Sequence, residues 1–377
     1  MKYRYGFLGC SSLESVKLPH GITSLETYSF GSCASLKKIH LPDSIVGLDN
    51  YWAHSSSFEV NMPPYIEYLG DGGFQCSTIK KVVVPKTLKS IGVDTFRNSP
   101  IEECVFENGI GITEIPKTCF YICSKLKYVY IPDGITTIGS SSFSHTTSLL
   151  SITLPNTVEE IGALAFGGSS VQTIALGDNI KTIGSQAFYA SKISNIYIGS
   201  RVETINARAL ESVARLTSLH IPASVKSLGG EAFAVDCGRY MESISVSPKN
   251  TVYDSRGNCN AIIETATNTL LLGCGYTKIP EGVEKLGKDS FFYQYNMQGI
   301  VFTFPSTFKE FSGTNFRYCY IHYSKIIFLN PEPPIGTSPE LGIVNSIYVP
   351  DDSVDAYKQS DTLSRFAAKI KPMSEFV

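Results

Sequence analysis

The sequence predicts an α/β right-handed solenoid: a stack of about fourteen copies of one short unit, closed at its C-terminal end by a helical cap. Two observations carry that prediction. A block of apolar residues recurs in fixed order from one end of the chain to the other, and turn residues punctuate every copy. A third observation limits the alternatives: no run of 18 or more apolar residues exists, so nothing reads as a membrane-spanning helix.

The repeat is clearest where Leu36, Ile39, Leu41 and Pro42 are matched by Leu126, Val129, Ile131 and Pro132, by Leu149, Ile152, Leu154 and Pro155, and by Leu216, Leu219, Ile221 and Pro222. A second block follows each of these. It reads Ile135, Ile138, Gly139 and Phe143 in one copy, Val158, Ile161, Gly162 and Phe166 in the next, then Ile180, Ile183, Gly184 and Phe188. The whole unit is LxxIxLPxxVxxIGxxAFxxC, with a period of about 21 to 25 residues.

Each position has a physical reason. IxL alternates apolar and other residues, so one set faces a core and the other faces away, as in a strand. Proline lacks an N–H and ends the strand. The glycine is expected to allow a tight bend at positive φ. The phenylalanine is a bulky plug for the far side of the interior, and xxAFxxC is expected to be a short helical or 3₁₀ turn. One unit has no second face to bury against, so only stacking completes a core. Strands recurring once per coil run parallel. They predict a curved parallel sheet on a concave face, with a shorter ladder from VxxI on the other side.

Irregularities mark the array. Residues 53–70 form a degraded copy, and a two-residue insertion precedes Ile112. At 250–276 three short apolar runs around turns predict a β-hairpin excursion, an insertion on a solenoid that spans 1–350. Residues 351–377 read as the C-terminal cap, with Ser353 as the N-cap of a helix. The chain enters the array in mid-unit, with Phe7 and Cys10 at the last motif positions. The expectation is a fragment whose upstream cap and export signal are missing.

The unit resembles the treponemal-type, or BspA-like, leucine-rich repeat of bacterial proteins, over essentially residues 1–350. The segment 250–264 and the tail 347–357 look like stretches that accompany such repeats. The resemblance implies export, display on the bacterial cell surface or release from it, and attachment to host or microbial macromolecules. It brings no catalytic residues.

Bulk composition agrees with a binding role and narrows it. Charged residues make up 18% and the net charge is −2, which gives no basic footprint for nucleic acid. Of the ten cysteines, Cys10, Cys33, Cys123 and Cys319 lie three residues after a motif phenylalanine, where a free thiol acts as a small buried apolar group. Cys119 and Cys123 have CxxxC spacing but no second ligand pair, and a zinc site needs four ligands. A disulfide between Cys259 and Cys274, which flank the predicted hairpin, is the minority reading. The six histidines form no triad with a carboxylate and a nucleophile, and the glycines fall at motif bends rather than in a phosphate loop. The chain therefore reads as non-enzymatic, with no cofactor and no metal.

What remains are the outward residues of the strands. They include Lys38 and His40, Lys81 and Val83, Glu103 and Val105, Tyr128 and Tyr130, Ser151 and Thr153, Tyr197, and His220. Owing nothing to the core, these are where a partner can be read. Tyr128, Tyr130 and Tyr197 are the candidate anchors, since tyrosine joins apolar area to a polar tip. Lys17, Lys38, His40 and Lys81 form a weak basic end, and His220 is a further candidate. The expected partner is a protein. A glycan is the second reading and a passive spacer the third.

Overall fold

The computed structural model describes residues 5–233, 236–237, 239–291, 301–313, 315–317, 319 and 322–376. It is a parallel-strand β-solenoid of about fourteen turns, divided into two compact units, Met1–Ile193 and Ser194–Val377.

In the first unit most coils supply one rung from the IxL segment and one from VxxI. Lys81–Val84, Glu103–Phe106 and Tyr128–Tyr130 pair in parallel, with Val82 opposite Cys104 and Cys104 opposite Val129. On the other ladder Glu114–Ile115, Thr137–Ile138, Glu160–Ile161 and Thr182–Ile183 pair in register. Inward residues such as Ile115, Ile138 and Ile161 are fully buried. Between the ladders runs a column of rings. Phe74, Phe96, Phe120, Phe143, Phe166 and Phe188 stack with centroids 5.3–5.7 Å apart. The coil that begins at Leu36 keeps this column by a shift of one residue: Ala53 takes the plug position, and buried Trp52 meets Phe30 and Phe74 edge-on.

The xxAFxxC stretch is not helical, and with little helix elsewhere the α/β description gives way to a β-solenoid. Each such stretch is a run of tight turns. Thr118 and Ile122 flank Phe120 at positive φ, Ser141 and His145 flank Phe143, and Gln186 and Ala190 flank Phe188. A positive φ at the third residue is what a type II turn requires. Backbone N–H groups then alternate in direction. Those of Ser141, Phe143 and His145 donate to Ala163, Ala165 and Gly167 of the following coil, each at 2.8 Å, while those of Ser142 and Ser144 donate back within the turn to Gly139 and Ser141. A left-handed non-glycine residue costs about 1 kcal/mol. The hydrogen bond it aims at the next coil offsets that cost, since a buried unpaired amide is at least as expensive.

The motif glycine is also needed for a reason other than the expected one. Gly139, Gly162 and Gly184 do not have positive φ. A Cβ on Gly139 would sit 2.6 Å from the Ile115 carbonyl oxygen, one on Gly162 2.6 Å from the Ser140 nitrogen, and one on Gly184 2.5 Å from the Gly162 carbonyl carbon. The glycine lets one coil approach the next, and the bend falls two residues later.

In the second unit Ser218–Ile221 pairs in parallel with Ser243–Val246. The hairpin follows: Tyr253–Asp254, Ala261–Glu264 and Thr269–Gly273 are successive antiparallel strands. It does not stand off the coil. Thr269 and Leu270 pair in parallel with Lys285 and Leu286, so the last hairpin strand serves as a rung of the ladder that continues through Glu310–Phe311. Its apolar residues dictate this: Ile262, Ile263 and Leu270 are fully buried, and a protruding hairpin would leave them in water.

The C-terminal segment is only partly helical. After Ile343–Val349 come a 3₁₀ turn, the helix Val354–Gln359 and a 3₁₀ stretch, and then Ile370–Pro372 adds a further parallel strand to Ile343–Val349. Ser353 precedes the helix, but its side chain caps nothing. Already buried and at the end of the 3₁₀ turn Asp351–Ser353, it lacks the extended backbone that N-capping requires. Anchoring instead comes from buried Tyr357, whose hydroxyl donates to the Asn330 carbonyl at 2.8 Å.

Candidate functional site: the outward strand face

Alternation along each rung decides which side chains face water. In the first unit Lys81, Glu103 and Tyr128 occupy one position on three successive rungs, and Val83, Val105 and Tyr130 the other. Neighbouring strands lie about 4.8 Å apart, so each row is continuous. Val83 is 53% exposed, Tyr128 52% and Tyr130 37%, more apolar surface than core formation requires. The hydroxyl of Tyr130 donates to Asn108 Oδ1 at 2.9 Å, which fixes the ring.

The lysines are answered one coil away. Lys81 Nζ lies 2.9 Å from Glu103 and Lys38 Nζ 3.4 Å from Glu59, so the basic end is locally neutralised. Lys127 pairs with Glu102 at 2.8 Å. Its ammonium holds the Glu102 carboxyl below the usual range, and Glu102 in turn raises Lys127. His40 is exposed near His20, Lys17 and Asp43 around a hollow of about 300 Å³. Tyr197, 59% exposed, and His220 belong to the second unit. The His220 Nδ1 lies 2.9 Å from the Ser245 hydroxyl on the paired rung. The structure thus gathers Lys81, Tyr128 and Tyr130 into one patch. Lys38 and His40 belong to an earlier part of the array, where no ladder joins Glu59–Val60 to Lys81–Val84 among the described residues.

The ladder also lapses beside the tyrosines. No backbone hydrogen bond joins Tyr128–Tyr130 to 151–153 among the described residues. A slot of about 400 Å³ opens there, lined by Tyr128, Tyr130, Asp133, Ser151 and Thr153 over a floor that includes Ile152. Asp133 and Asn108 were missed as site residues from sequence because they lie in turns. Their place just beyond the C-terminal ends of rungs was the available signal.

The cysteines contribute to the interior. The Cys33 thiol donates to the Phe7 carbonyl at 3.2 Å, and the Cys123 thiol to that of Phe96 at 2.9 Å, one coil back in each case. Cys319 does the same to Phe291. Cys10 departs from the pattern and is exposed. Burial pushes Cys123 up to about 11 and Cys237 up to about 12. Cys259 and Cys274 are buried free thiols.

Residues 3–112, 113–237 and 273–331 match the BspA type leucine rich repeat region, in six copies. The chain belongs to the BspA-type leucine-rich repeat family. Among solved structures this BspA-type protein is similar to a leucine-rich repeat protein from Bacteroides ovatus, with 20% identity over 86% of this chain and 81% of that one and a TM-score of 0.50. Two others are a leucine rich cell surface protein from Faecalibacterium prausnitzii (20% identity, 77% and 87% covered, TM-score 0.37) and the leucine rich repeat protein of T. pallidum (23% identity, 39% and 69% covered, TM-score 0.35). At 20% identity the likeness to the Bacteroides ovatus protein shows the fold alone. No curated protein matches the chain.

Proposed function

We propose that this protein is a non-enzymatic binding module, secreted or displayed at the cell surface, that recognises a protein partner through the outward strand face. The observation that supports this best is the row Val83, Val105 and Tyr130 with Tyr128 beside it: apolar and aromatic area, exposed at Val83, Tyr128 and Tyr130 and half-buried at Val105, on rigid, register-locked rungs. Exposed patches of this kind mark interaction surfaces, and aromatic anchors on a preorganised backbone lose little entropy on binding. The surface location rests on the family, whose repeats are expected on exported proteins. Among the described residues no helix is long and apolar enough to cross a membrane.

Surface plasmon resonance against a panel of extracellular-matrix and mucosal proteins tests the reading. A specific partner is expected, with affinity reduced about tenfold or more by Tyr128→Ala or Tyr130→Ala, the cost of a hot-spot aromatic. Val83→Asp, which sets a charge into the row, should abolish capture. Binding that ignores all three substitutions, or none to any protein of the panel, would reject it.

A further inference from the structure

We propose that the slot beside Tyr128 and Tyr130 holds a neutral pyranose ring, so that the partner is a glycosylated protein and the slot reads part of its glycan. This rests on the strand-face reading and adds a ligand class to it.

A pyranose presents an apolar C–H face and a rim of hydroxyl groups. The slot answers both. Tyr128 and Tyr130 supply flat apolar area with polar tips, and the Tyr130 hydrogen bond to Asn108 holds its ring in place before any ligand arrives. Asp133 is exposed at the same end and makes no ion pair among the described residues. A carboxylate there accepts from two adjacent hydroxyls, and charge-assisted hydrogen bonds are the stronger kind. Ser151 and Thr153 add hydroxyls on the facing coil. Where the ladder lapses, main-chain polar groups also border the slot, and such groups demand partners.

Charge selects among sugars. No lysine, arginine or histidine lines this slot, so a sulfate, phosphate or carboxylate would find no counter-charge and would face Asp133. The hollow around Lys17, His20, His40 and Asp43 does hold basic side chains, so their absence is a local property of the tyrosine slot. A volume of about 400 Å³ lies at the small end of ligand pockets and suits one or two rings rather than a long chain.

The full chain should be applied to an array of neutral, sialylated and sulfated oligosaccharides, and the strongest neutral binder titrated by calorimetry. Expected is binding of neutral glycans, weakened tenfold or more by Tyr128→Ala and at least fivefold by Asp133→Asn, with thermal melts unchanged. No neutral glycan bound, only charged glycans bound, or affinity indifferent to both substitutions would overturn the inference. The protein partner found above, stripped of its glycans, separates the two levels. Undiminished binding that Val83→Asp still abolishes removes the sugar and keeps the strand face. Binding untouched by Val83→Asp as well removes both.

Discussion

The two sides of every coil in the first unit obey different rules. On the turn side, a column of phenylalanines, a lattice of alternating hydrogen bonds and glycines in van der Waals contact with the next coil leave almost no freedom. On the strand side, half of each rung points outward and is held only by a neighbour one coil away. Stability is therefore concentrated where coils approach most closely, and sequence is free to serve recognition where they do not. In a quasi-one-dimensional array each coil depends on its neighbours, so a defect on the turn side is felt on both flanks.

The sharpest way to break this contrast is to compare Phe143→Ala with Tyr128→Ala by chemical denaturation. Phe143 is fully buried between Phe120 and Phe166, and its removal should cost about 3–5 kcal/mol. Tyr128→Ala on the exposed rung should stay within about 0.5 kcal/mol. Similar losses for the two would mean that the rungs carry as much of the stability as the turns.

A smaller effect distinguishes two uses of glycine. Gly162→Ala drives a Cβ to within 2.6 Å of the Ser140 backbone nitrogen, which cannot swing away as a side chain would. The coils must separate, at a cost of about 1–3 kcal/mol. Gly230 has open space around the same vector and no positive φ, so Gly230→Ala should be neutral or slightly stabilising through the unfolded chain. Thermal melts of the pair decide it, and an equally harmful Gly230→Ala would show that bending rather than approach is what the motif glycine provides.

The same contrast explains what could be read from the sequence. The rungs were legible because IxL alternation reports a strand directly, and the phenylalanine column because only one large residue recurs at that spacing. The turns were not. Their left-handed residues are Asp94, Thr118, Ser141, Leu164 and Gln186, which share no chemistry. Their conformation is imposed by hydrogen bonding to the following coil. For the same reason the role of glycine was misassigned: closeness to another coil has no local signature. The hairpin was visible as three strands, but its pairing with Lys285–Leu286 depends on burying Leu270, a tertiary fact. In the candidate site the tyrosines were legible as outward residues. The slot beside them was not, since nothing in the sequence of residues 149–155 announces that the ladder lapses there.

The smallest predicted effect concerns the ion pairs. Lys81 and Glu103 occupy one motif position on adjacent coils and lie 2.9 Å apart, with both side chains largely in water. Pairs of this kind contribute about 0–1 kcal/mol and are screened by salt. A double-mutant cycle on Lys81→Ala and Glu103→Ala should therefore give a coupling below about 0.5 kcal/mol that fades as ionic strength rises. The pair has a second consequence beside Tyr128. Lys81→Ala leaves the Glu103 carboxylate uncompensated in the rung next to the aromatic anchor, so the local charge there changes while the fold is unaffected. A coupling well above 1 kcal/mol that persists in high salt would assign the strand side a structural duty of its own.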